Sequence, residues 1–257
     1  MTAQIIAFPD LLAPPPALDP SGCALFLDLD GVLAPIVDRP DGVTPDPRRT
    51  FLLRRLSERF DRRLAIVSGR TVQDVSAITE HAVAAVAGVH GLERRNVLGD
   101  TTVAAADPDL GEALAVFSAL AKAQPRLIVE DKGLSVALHY RGAPFAVEAV
   151  REAARRLETR TDLVLQEGDM VAELRSRGAD KGAAVRAFMS EWPFQGARPI
   201  FVGDDLTDED GFLAATAAGG YGVLVGSTRH RTVARYRLDD VPAVFAWLEA
   251  AIGEAAS

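Results

Sequence analysis

Residues 26–35 read FLDLDGVLAP. An apolar run ends on two aspartates, Asp28 and Asp30, and Gly31 follows at once. The run belongs to ALFLDL (24–29). Apolar residues at successive positions mark a strand buried on both faces, as in a parallel sheet covered by helices. Similar runs recur at RLAIVS (63–68), VAAVAGV (83–89), PIFVGD (199–204) and YGVLVG (221–226). Each ends on a small or polar residue. Helical patterns lie between them, such as PRRTFLLRRLSERF (47–60) and TVQDVSAITEH (71–81). Strands alternating with helices predict an α/β fold: a Rossmann-like core with a parallel sheet flanked by helices.

From about Leu92 to Arg177 the pattern changes. ERRNVLGDTTVA (93–104) reads as a hairpin turning at Gly99-Asp100. A helix follows, with Asp107 as its cap and Pro108 at its first position. Then come RLIVEDKGLSVALHYR (126–141), a second helix over 144–158, and LVLQEGDMVAELR (163–175). Hairpins alternating with helices predict an antiparallel sheet with helices on one face. The expected organisation is a flexible arm over 1–22, a core over 23–92 and 178–257, and an inserted α+β cap domain over 93–177.

The chain has 257 residues, 48% of them hydrophobic, and a net charge of -8. That balance argues against a nucleic-acid or membrane-surface partner. No apolar stretch approaches the roughly 20 residues that span a bilayer. The prolines of the first twenty residues and the absence of a basic start argue against a signal peptide. Cys23 is the only cysteine, which fits a reducing cytoplasm. It opens an apolar run and reads as a core residue, as do Met170 and Trp192. His81 and His230 read as surface residues, and His139 as part of the cap's packing. Neither terminus offers a heptad or a long apolar patch, so a monomer is expected.

The chemistry collects where the strands end, which is where open parallel sheets bind ligands. Asp28 and Asp30 end the first strand, Ser68-Gly69-Arg70 the second, and Asp204-Asp205 the fourth. His90 and Glu93 follow the third. Were both extended, Asp28 and Asp30 would point to one face and repel. Paired aspartates at two neighbouring strand ends call for a hard divalent cation, and Mg²⁺ fits best. Ser68 and Lys181 are both able to contact a phosphoryl oxygen, the lysine offsetting charge that develops during transfer.

This set resembles the haloacid dehalogenase superfamily of phosphohydrolases. FLDLDGV is similar to its first motif, Ser68 to the second, Lys181 to the third and GDDLTDED (203–210) to the fourth. Within it, LDLDGVLAPI, VSGR (67–70), AGVHGLE (87–93), LSVALHYR (134–141) and ELRSRGADKG (173–182) resemble the trehalose-6-phosphate phosphatases. The resemblance implies that Asp28 attacks phosphorus and that Asp30 protonates the leaving sugar oxygen and then activates water. It implies Mg²⁺ held by Asp28, the backbone carbonyl of Asp30, and Asp204. Asp205 would stand behind them, orienting Lys181 or a water, with Asp208 of the same motif also outside the metal's ligands. Glu130, Lys132, Arg141 and Glu173 would bind sugar hydroxyls. His90 contacts substrate or orders its turn; Arg70 faces the phosphate or pairs with a carboxylate. The expected partner is a small sugar phosphate.

Two other readings remain at this point. The sugar could be sucrose phosphate, mannosyl-phosphoglycerate or a hexose phosphate, with cap residues deciding. The chain could instead be a phospho-receiver or a silent sugar sensor. Receivers lack a second aspartate two residues on, so Asp30 argues for the enzyme.

Overall fold

The computed structural model describes residues 12–227 and 231–253. The chain forms two compact units, one from residues 1–102 and 179–257, the other from 103–178.

The larger unit is built on an eight-stranded sheet. Its first strand, β1 (Cys23–Leu27), is buried along its whole length. It lies between β2 (Leu64–Val67) and β10 (Arg198–Gly203), parallel to both. The remaining strands are β3 (Ala85–Gly88), β4 (Glu93–Arg95), β5 (Thr101–Val103), β11 (Tyr221–Val225) and β12 (Tyr236–Leu238). The order is β12-β11-β10-β1-β2-β3-β4-β5. Strand side chains alternate between faces, so β1 serves two cores. Leu25 and Leu27 pack with α1 (Pro47–Arg59), α2 (Val72–Ile78) and α7 (Val241–Ile252). Phe26 packs on the other face with α5 (Lys181–Met189) and α6 (Glu209–Ala217). There its ring centroid lies 5.5 Å from Phe194 and 6.2 Å from Phe188. The helices start on local signals. Asp46 accepts the N–H of Arg49 ahead of Pro47, and Thr71, Asp180 and Asp240 cap α2, α5 and α7 in the same way.

The smaller unit has a four-stranded antiparallel sheet. It contains β6 (Ile128–Asp131), β7 (Ser135–His139), β8 (Val164–Gly168) and β9 (Val171–Arg175), in the order β6-β7-β9-β8. Its apolar face, with Val136, Leu138, Ala172 and Leu174, packs on α3 (Leu110–Ala123) and α4 (Val147–Arg160). Asp107 lies outside α3, where its carboxylate accepts the N–H of Asp109. Pro108 likewise precedes the helix.

The structure departs from the sequence reading in several places. The 93–104 hairpin forms, closed by Asn96 side-chain bonds to the N–H groups of Leu98 and Asp100. It belongs to the larger sheet, however, because β4 runs antiparallel to β3. The reversal occurs at Gly91, whose φ of +100° suits glycine. The smaller unit therefore starts at 103 instead of 93. Residues 12–22, expected as part of a flexible arm, lie on the core: Leu18 is buried, Arg237 N–H donates to Ala13 O, and Trp247 Nε1 to Pro16 O. Residues 1–11 and His230 lie outside the described residues. Cys23 is buried, but Trp192 is 59% exposed, in the turn beyond α5. Among the described residues, no helix is long and apolar enough to cross a membrane.

Phe26 anchors the strand that carries the aspartates. Phe26→Ala is expected to lower unfolding free energy by about 3–5 kcal/mol, read from urea denaturation midpoints.

Candidate active site

β1 ends at Leu27, one residue before the first aspartate. Asp28 N–H still bonds to Val202 O of β10 at 2.9 Å, but the chain then turns, with Leu33 and Ala34 N–H donating to Leu29 O. The two carboxylates therefore diverge, instead of sharing a face as two extended residues would. Asp28 is buried. Its Oδ1 accepts the N–H of Leu29 at 2.7 Å, and its Oδ2 lies 2.6 Å from Lys181 Nζ. Asp30 is turned to Arg70, which donates to both carboxylate oxygens, from Nε at 2.7 Å and Nη2 at 2.9 Å. This fork geometry is the strong form of the pair.

Gly31 makes the turn possible. Its φ is +73°, and a Cβ there would stand 2.0 Å from Asp204 Oδ2. Asp204 and Asp205 follow β10 directly. Lys181 sits in the first turn of α5 and is 2% exposed. Its ammonium also donates to Asp208 Oδ1 at 2.7 Å. The other oxygen of Asp208 accepts the N–H groups of Asp204 and Asp205, at 2.9 and 3.0 Å. Asp208 is 0% exposed and holds Lys181 directly. Asp205 accepts the N–H of Leu206 and forms a capping box with Asp208. The D-x-x-D spacing was the available sequence signal for that box.

Charge is crowded here. Burial pushes the Asp28 carboxyl up to about 7, Lys181 pulling against the shift and Asp208 adding to it. Burial, with the charges of Asp208 and Asp28, also holds Asp204 well above the ordinary carboxylate range. Burial works against the Lys181 ammonium, yet the charges of Asp208 and Asp28 outweigh it and raise its pKa. Oxygens of Asp28, Asp204 and Asp208 all lie within 4.8 Å of one another. One lysine contacts two of these three carboxylates. An all-oxygen, net-negative cluster of this kind fits a hard divalent cation.

Ser68 is buried at the end of β2, and its Oγ accepts the N–H of Arg70 at 3.2 Å. His90 is buried against Gly69, where a Cβ would stand 2.7 Å from its Cε1. Val89 and His90 both have positive φ, 45° and 57°. Such backbone is costly for a β-branched residue and is typical of functional sites. Glu93 accepts the N–H of Val72 at the start of α2.

In the smaller unit, Glu130, Lys132 and Glu173 come together. Lys132 Nζ lies 3.2 Å from Glu173 Oε1 and 3.8 Å from Glu130 Oε2. Arg141 lies beyond the end of β7 and pairs with Asp169 at 2.7 Å. His139, expected to serve packing, places Nε2 2.8 Å from Glu130 Oε2. Burial pushes the Glu130 carboxyl up, but the hydrogen bond from His139 and the charge of Lys132 hold it below its ordinary value.

The ends of two central parallel strands bring Asp28 and Asp204 beside the buried Lys181, an arrangement chemically suited to phosphoryl transfer. The backbone is similar to a Candida albicans trehalose-6-phosphate phosphatase C-terminal domain, with a TM-score of 0.79 at 24% identity, covering 94% of this chain and 99% of that one. It is also similar to a haloacid dehalogenase superfamily phosphatase from Bacteroides thetaiotaomicron, with a TM-score of 0.60 at 15% identity, covering 88% and 92%. The trehalose-phosphatase family model matches residues 26–242. The chain is 40% identical over 228 residues to the trehalose-6-phosphate phosphatase of Escherichia coli strain K12, spanning 88% of this chain and 85% of that protein. The chain belongs to the trehalose-phosphatase family.

Lys181→Met strands two buried carboxylates. It is expected to cost about 3–5 kcal/mol in unfolding free energy at neutral pH, measured by urea denaturation.

Proposed function

We propose that this enzyme hydrolyses trehalose 6-phosphate to trehalose and inorganic phosphate, with Mg²⁺, through an aspartyl-phosphate on Asp28. The observation that carries the reading is the separation of the two aspartates. Asp28 is clamped between Lys181 and the N–H of Leu29, and Asp30 is turned away to Arg70. One carboxylate is fixed for attack and the other is set apart for proton transfer.

In the first half-reaction a carboxylate oxygen of Asp28 bonds to phosphorus, and the bond to the sugar oxygen breaks. Asp30 gives that oxygen its proton. In the second, Asp30 takes a proton from water, which attacks the aspartyl-phosphate and frees Asp28 and phosphate. Ser68 and Lys181 contact phosphoryl oxygens. Asp28, Asp204 and the backbone carbonyl of Asp30 would hold Mg²⁺, which supplies positive charge against the phosphoryl group when bound. Asp208 stays out of that set in this reading and holds Lys181 and the N–H groups of Asp204 and Asp205 in place. Asp205 closes the adjoining capping box. Arg70 acts through Asp30, and His90 shapes the floor of the phosphate site beside Gly69.

Glu130, Lys132 and Glu173 read sugar hydroxyls, since a disaccharide offers many donors and acceptors to charged groups. Arg141 joins them from the sheet's end. A single buried cysteine suits a cytoplasmic enzyme, and a monomer suffices for the chemistry.

The decisive assay is phosphate release from trehalose 6-phosphate, sucrose 6-phosphate and glucose 6-phosphate, with Mg²⁺ or EDTA. Trehalose 6-phosphate is expected to be preferred and EDTA to abolish turnover. Equal rates on glucose 6-phosphate would overturn the substrate, and full activity in EDTA would overturn the metal. Asp30→Asn is expected to reduce steady-state turnover by roughly 10²–10⁴-fold. Unchanged turnover would refute its role.

A further inference from the structure

The polar face of the four-stranded sheet carries a continuous chain of side chains from three strands. His139 Nε2 lies 2.8 Å from Glu130 Oε2. The same oxygen lies 3.8 Å from Lys132 Nζ, which donates to Glu173 Oε1 at 3.2 Å. Glu173 Oε1 also accepts the hydroxyl of Ser135. A carboxylate offers acceptors alone, so His139 meets Glu130 with its proton on Nε2.

Strand register explains the pattern. Glu130 faces Ala137 on β7, and Ala137 faces Glu173 on β9. The two glutamates thus flank β7 with Cα atoms roughly 10 Å apart, twice the strand spacing. Ala137 offers a methyl group between them. Ser135 and His139 stand two residues to either side of Ala137, on the same face. Each takes one of the two glutamates. Ser135 is 0% exposed and Glu173 is 5% exposed, so this hydroxyl–carboxylate bond is made out of water, where a lost donor is costly.

We propose that Ser135 and His139 are positioning residues for substrate recognition: Ser135 orients Glu173 and His139 orients Glu130. The inference rests on the reading that both glutamates hold sugar hydroxyls. A glutamate has three rotatable side-chain bonds. A site that freezes them before the sugar arrives binds tighter than one that freezes them on binding. Lys132, between the two carboxylates, offsets their repulsion. Strand β7 therefore contributes to specificity without supplying a group that touches the sugar.

The test uses the full-length enzyme with Mg²⁺. It compares kcat/KM for trehalose 6-phosphate with kcat/KM for p-nitrophenyl phosphate, which has no sugar. In Ser135→Ala and His139→Phe that ratio is expected to fall about tenfold or more, mainly through a higher KM for the sugar phosphate. His139→Gln keeps an N–H donor near the Nε2 position and is expected to recover most of the ratio. Glu173→Gln is expected to lower the ratio further. Adding Ser135→Ala to it is expected to do little more, because the two act as a unit. Thermal melting of each variant verifies the fold, and His139→Ala, which also removes the donor, carries the test if His139→Phe does not fold.

Suppose Glu130→Gln and Glu173→Gln lower the ratio while Ser135→Ala and His139→Phe leave it within about twofold. The positioning roles are then overturned and the sugar-binding reading stands. If both glutamine variants also leave the ratio unchanged, the sugar-binding reading falls and this inference with it. Equal losses on both substrates with a lowered melting temperature would assign Ser135 and His139 to structure alone and overturn the proposal.

Discussion

One buried ammonium group ties together three segments far apart in sequence. Lys181 Nζ reaches Asp28 at the end of β1 and Asp208 ahead of α6, while itself opening α5. A charge leaves water only when it is paired and hydrogen-bonded. Here each partner is satisfied further: Asp28 by the N–H of Leu29, Asp208 by the N–H groups of Asp204 and Asp205. Two carboxylates to one ammonium still leave an excess of negative charge, and Asp204 enlarges it. That excess keeps the lysine charged. It also suits the cluster to a divalent cation.

The sheet makes this proximity rigid. Parallel pairing of β1 with β10 sets Leu27 opposite Val202, so Asp28 and the Gly203-Asp204 turn emerge side by side. Glycine then permits approaches that a side chain would block. A Cβ on Gly203 would stand 2.2 Å from Asp208 Cγ, and one on Gly31 would meet Asp204 as closely. Two aromatic and aliphatic cores, one on each face of β1, hold the strand that delivers the aspartates. Function here is a small polar cluster held by a much larger apolar frame.

Much of this was legible in the chain. Runs such as LFLDL and PIFVGD announce strands buried on both faces, since every position must avoid water. Asp46-Pro47 and Thr71 announce helix starts, because capping needs partners two or three residues away. Other features were not legible. The 93–104 hairpin was readable as a hairpin, yet nothing within it says which sheet it joins. Pairing with β3 depends on the reversal at Gly91, which brings the strand back beside its neighbour. Asp205 and Asp208 are equally acidic members of one motif, and only packing brings Asp208 onto Lys181. Trp192 is apolar by composition, but its position in the turn beyond α5 leaves it in solvent.

The amino-acid sequence by itself determined the α/β architecture, the strand ends that carry aspartates, serine and lysine, and the kinship with phosphoryl-transfer enzymes. These follow from local periodicity and short motifs, which need no knowledge of distant partners. Tertiary structure alone decided the divergence of Asp28 and Asp30, the choice of Asp208 as the lysine's anchor, and the network joining His139, Glu130, Lys132, Glu173 and Ser135. Each depends on side chains from segments distant in sequence meeting at close range. Register and a desolvated environment set those meetings, and both exist only once the chain has folded.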